Sequence, residues 1–283
     1  MRYLVLFTYY ETNESKLNLY FFLKNGVFRS NMITYIFIIK GNKLSVKIPK
    51  FNNVIVQKTL NEGYDFGGWS DGLKLVNLNN YDRFIFLNDT VRGPFLPTYL
   101  NKKDWVRHFT TFINNKVKLV GSTINRNKIY YRKIKNDHIQ SMSFATDKIG
   151  LDLLIKNNIF NKKLCIDKMK ESKWNYISEF EIRMSEIILN NGYNIKSLQF
   201  CEIKVDPQHL FFYNWTTINP LEIMFIKTNR INNKIVQNYS KWNLPNNKKL
   251  NYIVEKNNKK KRLFLIIVIL IVFLLAFKIF MNT

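Results

Sequence analysis

Short, continuous apolar runs that alternate with other segments constrain the fold of this chain more than any other feature. Residues 3–10, 32–39 and 82–87 are each apolar on both faces of an extended backbone. Strands of this kind are typical of a parallel sheet covered by helices on both sides. Residues 14–28 lie between the first two runs, and their apolar positions recur with a period near 3.6, which indicates a helix. The order of these segments predicts an α/β fold with a mostly parallel sheet flanked by helices.

Further segments extend this pattern along the chain. Residues 53–58 and 117–123 are predicted to be strands. Residues 69–76, 147–159 and 177–191 are predicted to be helices, the last of them ended by a Gly-Tyr pair. Hydrophobic residues make up 46% of the chain, which is enough to form the core of a domain of this size.

The C-terminal end carries an unbroken apolar run at residues 263–277, which continues past a single lysine to residue 280. A helix over residues 263–280 would span about 27 Å, close to the hydrocarbon thickness of a thin bilayer. The basic cluster at residues 256–262 is expected to stay on the cytoplasmic side of that bilayer. We therefore expect a transmembrane helix over residues 263–280, and a buried core helix is the alternative.

These features divide the chain into a folded domain at residues 1–231, a polar, basic linker at 232–262 and a membrane anchor at 263–280. The linker is predicted to be poorly ordered. The apolar start of the chain lacks a small-residue cleavage site, so it is predicted to be a buried strand and not a signal peptide. The expected topology is single-pass and tail-anchored, with the N-terminal domain facing the cytosol.

The formal net charge of +24 favours contact with anions such as nucleic acid, anionic lipid or phosphorylated substrates, without choosing among them. The sequence has no zinc-finger, helix-turn-helix or RRM-like signature, which argues against specific nucleic-acid binding. Its two cysteines, Cys165 and Cys201, have no spacing typical of a zinc site or a disulfide framework. Function has to be read from the motifs at the strand ends.

Ligands of open α/β sheets bind beyond the carboxyl ends of the strands, so the segment after each strand is a candidate site. Residues 61–69 follow the third strand. They contain three glycines, the first of which is Gly63, together with Asn61 and Asp65. This segment is predicted to be a loop that lets the backbone approach a ligand, although it matches neither GxGxxG nor a P-loop. An ordinary strand-to-helix turn is the alternative.

Asn88 and Asp89 follow the strongly apolar strand at residues 83–87. A buried strand that ends in an acidic residue offers a carboxylate to a metal ion or a ribose. Oxygen ligands suit Mg²⁺ or Mn²⁺, and such an ion could bridge Asp89 to substrate phosphates. The alternative is that Asp89 closes or caps a local turn.

Several motifs share the order found in one known family. Residues 61–73 resemble the Asn/Gly loop and helix that precede the acidic motif of GT-A-fold glycosyltransferases. Residues 84–95 run from a strand into Asn-Asp-Thr-Val-Arg-Gly-Pro-Phe, and residues 138–142 read His-Ile-Gln-Ser-Met. Residues 181–193 begin Glu-Ile-Arg-Met-Ser and end in Gly-Tyr, and residues 220–230 read Pro-Leu-Glu-Ile-Met-Phe-Ile-Lys-Thr-Asn-Arg.

Together these motifs resemble the rhamnan-synthesis F-related family of glycosyltransferase-like proteins, which also occurs in algae and large DNA viruses. The resemblance covers about residues 3–230. It implies a GT-A-like, Rossmann-like fold and a nucleotide-sugar donor.

The resemblance also implies a donor side of the site. The residues near the nucleotide-sugar would be Asn61, Gly63, Asp65, Asn88, Asp89, Lys227 and Arg230. Lys227 and Arg230 would bind the diphosphate from a loop or from one helix face, and a solvated basic face is the alternative. A cation, Mn²⁺ or Mg²⁺, would be held by Asp89. The acidic motif here reads Asn-Asp-Thr and lacks its two flanking acids, so the resemblance leaves metal dependence open.

On the acceptor side, the resemblance makes Glu181 the general base that takes the proton of the acceptor hydroxyl. A Glu on an exposed helix surface is the alternative. His138 and Gln140 would line the acceptor, and a buried structural histidine is the other interpretation of His138.

Three functions are compatible with these observations. The first is a glycosyltransferase that moves a sugar from a nucleotide-diphosphate donor to a glycan, lipid or protein acceptor at a membrane surface. The second is a catalytically inactive GT-A-like protein that serves as a membrane-tethered binding or scaffold protein. The third is nucleic-acid binding driven by charge alone, which would be sensitive to salt and without sequence preference.

Overall fold

The computed structural model describes residues 1–125, 137–199, 202–203, 219–229 and 233–243. Within these residues the strands are β1 (Tyr3–Tyr10), β2 (Ile33–Lys40), β3 (Val54–Thr59), β4 (Arg83–Asn88), β5 (Val91–Arg92), β6 (Val117–Gly121), β7 (Ile124–Asn125), β8 (His138–Ile139), β9 (Ser143–Asp147), β10 (Asn194–Ser197), β11 (Glu202–Ile203) and β12 (Ile226–Lys227). The helices are α1 (Asn13–Asn25), α2 (Tyr64–Leu73), α3 (Trp105–Phe109), α4 (Lys148–Lys156), α5 (Lys162–Glu171), α6 (Lys173–Tyr176), α7 (Arg183–Asn190), α8 (Pro220–Ile223) and α9 (Asn233–Asn243). A π-helical turn, Ile177–Ile182, joins α6 to α7.

Eight strands form one sheet in the order β11-β10-β6-β9-β4-β1-β2-β3. The strands β4, β1, β2 and β3 are parallel to one another, and β6 is parallel to β10. The strand β9 lies antiparallel between β4 and β6 and so joins the two parallel groups. The predicted mostly parallel α/β sheet is therefore confirmed, and β9 is a central strand that the sequence did not predict.

The alternation of side chains along β1 explains why its sequence is apolar throughout. Leu4 and Leu6 point to one face of the sheet and belong to the apolar cluster that includes residues of α2, α4 and the π-helical turn. Val5 and Phe7 point to the other face and pack in a cluster with residues of α1 and α3. All four side chains are at most 1% exposed. Because full burial of a side chain of this size contributes about 1.5–3 kcal/mol, β1 is a main source of core stability.

The helix α2 begins at Tyr64, so most of the predicted glycine-rich loop is helical. The reason is packing against the sheet: a Cβ atom on Gly68 would lie 2.6 Å from Thr8 Cγ2, and one on Gly72 would lie 2.8 Å from Leu6 Cδ2. These glycines let α2 lie directly on β1, and that contact compensates for their low helix propensity. The sequence predicted that these glycines let a ligand approach the backbone. At Gly68 and Gly72 it is the sheet that lies close to the backbone.

The helix α9 lies within the segment predicted to be a poorly ordered linker. Its Val236 is fully buried and belongs to a third apolar cluster with Phe21, Phe95 and Ile226. Residues 233–243 are therefore folded onto the domain, in contrast to the prediction.

A membrane-spanning helix is not found in the part of the chain that the structure describes, where no helix has both the length and the apolar character required. The predicted span at residues 263–280 lies outside the described residues.

The contact between α2 and β1 predicts that Gly68→Ala destabilises the fold. The new methyl group would meet the stiff, β-branched side chain of Thr8, and such overpacking costs about 1–3 kcal/mol, more than the gain of about 1 kcal/mol in helix propensity. The free energy of unfolding in urea measures the effect. Lys170→Ala, on the exposed side of α5, is the control and should change it by less than about 0.5 kcal/mol. Equal stability of Gly68→Ala and the native chain would contradict this account of α2.

Candidate active site

The carboxyl ends of β1, β2 and β4 bring polar side chains to one edge of the sheet. Thr8 and Asn88 lie opposite each other in the pairing of β1 with β4. Asp65, in the first turn of α2, reaches the same point. Its two carboxyl oxygens accept hydrogen bonds from Thr8 Oγ1 at 3.4 Å and from Asn88 Nδ2 at 2.7 Å. The predicted residues Asp65 and Asn88 are therefore in direct contact.

Asp89 lies at the same edge, just beyond β4. Its Oδ2 accepts a hydrogen bond of 2.6 Å from the backbone N–H of Tyr10. Burial and the nearby charge of Asp65 raise the pKa of Asp89 to about 7, against the opposing effects of Tyr10 and Lys40. Burial also raises the pKa of Asp65, although Asn88 and two lysines act in the other direction. Two carboxyl groups with raised pKa values make this edge a place that favours an added positive charge.

Lys40 supplies one positive charge and was not predicted from the sequence. It ends β2, is 5% exposed, and donates hydrogen bonds to the backbone oxygens of Glu62 and, at 2.7 Å, of Tyr64. Burial lowers the pKa of Lys40 to about 8, while Asp65 and Asp71 act to raise it. A charged residue at the end of an otherwise apolar run was the signal that could have identified it.

Lys227 supplies a second positive charge. It lies in β12, which pairs with β5 so that Lys227 is opposite Val91, and its charge opposes the burial that raises the pKa of Asp65. The neighbouring Thr228 N–H donates to the backbone oxygen of Thr90 at 3.1 Å. Lys227 is thus on a strand. The prediction that Lys227 could lie on a helix, on the same face as Arg230, is wrong. Arg230 lies outside the described residues.

Gly63 and Asn61 lie in the segment just before α2. Gly63 caps α2 with a backbone φ of 66°, in the left-handed region that favours glycine. A Cβ atom there would lie 3.0 Å from Cys165 Cβ, so the fold itself requires this glycine. The backbone oxygen of Gly63 accepts a hydrogen bond from the Tyr176 hydroxyl at 2.9 Å. Asn61 is exposed to solvent.

Glu181 lies in the π-helical turn, a rare helix type that is frequent at functional sites. One of its oxygens accepts hydrogen bonds from the Ser141 hydroxyl and, at 3.2 Å, from the Ser141 N–H. The other oxygen lies 3.3 Å from His138 Nε2. Burial acts to raise the pKa of Glu181, but the contact with His138 and the hydrogen bonds from Ser141 outweigh it and the net shift is downward. Glu181 is thus held as a carboxylate, and its side chain remains 20% exposed.

The two predicted acceptor-side residues have different surroundings. His138 is 2% exposed and contacts Glu181. Gln140 is 3% exposed, and its side-chain oxygen accepts a hydrogen bond of 2.8 Å from the Thr123 hydroxyl. The structure therefore brings His138 to the general-base candidate, whereas Gln140 bonds to a neighbouring buried side chain.

The strand β9 connects the Glu181 group to the Asp89 group. Since β9 is antiparallel to β4, its first residues lie at the carboxyl end of β4. The Asn88 N–H donates to the backbone oxygen of Met142 at 3.1 Å, and the preceding residue, Ser141, binds Glu181. The residue that binds the Glu181 carboxylate is therefore adjacent in sequence to the residue whose backbone oxygen bonds to Asn88.

The carboxyl groups at this edge are the candidate ligands of a divalent cation. Among the described residues, no group of three or more His, Cys, Asp or Glu side chains is placed to hold a metal ion. The charge of Asp65 nevertheless raises the pKa of Asp89, so the two carboxyl groups lie near each other. Mg²⁺ is usually bound through one or two carboxylates together with water and substrate phosphates. Asp65 and Asp89 therefore fit a cation that binds together with a diphosphate.

The lowered pKa of Glu181 predicts a pH-dependent contribution to stability. A carboxylate whose pKa is lower in the folded than in the unfolded chain stabilises the fold above the unfolded pKa, and this is lost as the pH falls through the folded pKa. Glu181→Gln should therefore unfold more easily than the native chain at neutral pH, with a gap that narrows in acid. Urea unfolding across this pH range measures it. Glu179→Gln, which breaks a partly exposed pair with Arg183, is the control and should show a smaller gap. A gap for Glu181→Gln that does not change with pH would contradict the prediction.

Comparisons with curated and solved proteins give relatives of low identity. The virulence protein VirA of Vibrio anguillarum is 26% identical over 192 residues, which covers 61% of this chain and 56% of VirA. The chain thus spans about half the length of the curated relatives it matches.

Two solved structures have low TM-scores and low sequence identity to this chain, so no role of a site residue is inferred from them. The mannosyltransferase PcManGT from Pyrobaculum calidifontis, in complex with GDP-Man and Mn²⁺, is 8% identical with a TM-score of 0.41, covering 69% of this chain and 54% of that one. Residues 1–349 of TarS from S. aureus are 12% identical with a TM-score of 0.42, covering 67% of this chain and 56% of that one.

A family match covers far more of the chain than these relatives do. The family described as Rhamnan synthesis protein F matches residues 40–273 of the 283 residues. This is well over half of the chain, and it includes each of the motifs at residues 61–73, 84–95, 138–142, 181–193 and 220–230. The resemblance stated from those motifs is confirmed: this protein belongs to the Rhamnan synthesis protein F family.

Proposed function

We propose that this protein is a glycosyltransferase that moves a sugar from a nucleotide-diphosphate donor to a hydroxyl of a glycan, lipid or protein acceptor. One observation carries the proposal. A cluster of Asp65, Asn88, Asp89 and Lys227 lies at the same sheet edge as an ionised, partly exposed Glu181. Group transfer between a charged donor and a neutral hydroxyl needs both a place for the diphosphate and a base for the hydroxyl proton.

The donor would bind at the carboxyl ends of β1 and β4. Lys227, with Arg230 three residues further on, would bind the diphosphate, which is the leaving group. A divalent cation, Mn²⁺ or Mg²⁺, held by Asp89 and Asp65, would neutralise charge on that diphosphate as it leaves. Asn61 and Gly63 would contact the nucleotide-sugar from the segment before α2.

The acceptor would bind on the β9 side, where Glu181 faces solvent. The acceptor oxygen would attack the anomeric carbon, the bond from that carbon to the diphosphate oxygen would break, and the hydroxyl proton would pass to Glu181. Ser141 and His138 would keep Glu181 oriented and ionised for this step.

A catalytically inactive, membrane-tethered binding or scaffold protein is the second candidate. The observation in its favour is the incomplete acidic motif, in which Asn88 and Thr90 replace the two flanking acids. Both candidates have the same fold, and only the glycosyltransferase would transfer a sugar.

We also propose that the protein acts at a membrane, as a tail-anchored, single-pass protein with its N-terminal domain facing the cytosol. The support is the apolar run at residues 263–280 and the basic cluster at residues 256–262. The basic cluster would add attraction to an anionic lipid surface.

A panel of nucleotide-sugars, with and without Mn²⁺, tests the transferase proposal. A donor at 100 times its dissociation constant should stabilise the protein by about 2.7 kcal/mol, which thermal unfolding resolves. Asp89→Ala and Lys227→Ala should lose this stabilisation. Glu181→Gln should keep it and turn over more slowly by about 10²–10⁴-fold. Glu179→Gln is the matched control and should keep both.

The outcomes separate the two candidates. Stabilisation by a donor without any transfer or hydrolysis would support the inactive scaffold. Absence of stabilisation by every donor would contradict the transferase proposal.

The membrane proposal predicts that the full chain sediments with vesicles and resists extraction by high salt. A variant that ends at residue 262 keeps the basic cluster and should be released from vesicles by salt, because electrostatic attachment is screened. Vesicle sedimentation at low and high salt measures this. Release of the full chain by high salt would contradict a spanning anchor.

A further inference from the structure

Asn18 lies in the middle of α1 and is completely buried. Its amide Nδ2 donates to the backbone oxygen of Asp89 at 2.9 Å and to Thr228 Oγ1 at 3.3 Å. One side chain therefore bonds to both segments that carry the donor-side charges, the turn that holds Asp89 and the strand end that holds Lys227. Neither the motifs nor the function proposed above assigns a role to Asn18.

A buried arginine fixes the orientation of this amide. Arg92 is 1% exposed, and its Nε donates to Asn18 Oδ1 at 3.0 Å. Because a guanidinium can only donate, the atom that faces it is the oxygen of Asn18, and the NH₂ group has to face Asp89 and Thr228. Arg92 is held in turn by Glu14 at 2.9 Å and by Ser240 Oγ at 3.4 Å. The amide of Asn18 thus has one orientation that satisfies all its partners.

We propose that Asn18 is a positioning residue that sets the distance between Asp89 and Lys227 and so determines donor affinity. The proposal rests on the function proposed above, in which both residues bind the donor. Between these two segments, Thr228 also bonds directly to the backbone oxygen of Thr90 through its N–H, at 3.1 Å, and its hydroxyl, at 3.3 Å. Asn18 adds the bond that reaches Asp89 itself.

The replacement Asn18→Asp isolates this role, because it keeps the size and the oxygen that faces Arg92. It replaces the NH₂ donor by an oxygen, which repels the backbone oxygen of Asp89. Asn25→Asp is a matched control on the same helix. Asn25 is 1% exposed, donates to the Phe21 backbone oxygen at 3.1 Å and accepts from Lys102 Nζ at 2.9 Å. Both variants therefore lose one buried amide donor and keep one cationic partner.

The first measurement is the dissociation constant for the donor that stabilises the native chain, by calorimetry on folded protein. Loss of a buried hydrogen bond costs about 1–3 kcal/mol, which corresponds to about 5- to 150-fold in a dissociation constant. Asn18→Asp should therefore weaken donor binding at least about fivefold, while Asn25→Asp stays within about twofold of the native value. The KM for the acceptor should stay the same in both. Equal donor affinity in Asn18→Asp and the native chain, or equal loss in both variants, would overturn the proposal.

The second measurement needs no donor, so it distinguishes failure of this proposal from failure of the transferase function. Hydrogen exchange of the Thr228 N–H reports on its bond to Thr90. Exchange should become faster in Asn18→Asp and stay native in Asn25→Asp. Unchanged exchange in Asn18→Asp would overturn the positioning role even if no donor binds. If Asn18→Asp does not fold, Thr228→Val is the second variant. It removes the side-chain partner of Asn18 together with the hydroxyl bond to Thr90, and it keeps the Thr228 N–H bond to Thr90. It should weaken donor binding in the same direction, and native affinity there would overturn the proposal.

Discussion

The backbone pairing of β4 with its two neighbours is the constraint on which the candidate site depends. On one side, β1 pairs in parallel and sets Thr8 beside Asn88. On the other side, β9 pairs antiparallel and sets its first residues at the same end of β4. The group of side chains around Asp89 and the group around Glu181 therefore meet along one strand. A slip of one residue in either pairing would turn these side chains to the opposite face of the sheet.

Charge at this edge is balanced inside the protein before any ligand arrives. The buried ammonium of Lys40 and the charge of Lys227 oppose the burial that raises the pKa of Asp65. Asp89 has a pKa of about 7, so a cation or phosphate bound beside it would change its protonation at neutral pH. Glu181 differs, because Ser141 and His138 lower its pKa. Two acids at one edge are thus prepared for different tasks by their hydrogen-bond partners.

The sequence predicted the parallel core well because its signal is local. The strands β1, β2 and β4 are continuous apolar runs, and their predicted bounds differ from the observed ones by one residue at most. The strand β9 was missed because Ser143–Asp147 carries polar residues among its apolar ones, and only the pairing with β4 and β6 makes it a strand. The start of α2 was missed because glycine disfavours helices, and the contact that reverses this preference lies on a strand far away in sequence.

Parts of the site could not be predicted from the sequence for the same reason. Asp65, Asn88, Asp89 and Glu181 belong to motifs, and their resemblance to a family identified them. Asn18 was given no role from the sequence, although residues 18–26 also resemble the family, because its hydrogen-bond partners are fixed only by the fold. The role of Val236 in α9 was hidden by the polar composition around it, since the segment packs on the domain through this one buried valine and the contact of Tyr239 with Phe95.

The contact between Asn18 and Thr228 also has a consequence for how the protein becomes active during synthesis. These two residues are 210 positions apart, and Phe21 and Val236 of the third apolar cluster are similarly distant. Contacts between such distant parts of a chain form late, because the loop that they close is long and the chain emerges from its N-terminus. The last strand of the eight-stranded sheet ends at Ile203, so the sheet can form while the residues after it are still being made. The bonds of Asn18 to Thr228 and of Arg92 to Ser240 then form only when residues 219–243 have emerged, so a shortened chain would contain the sheet without these bonds.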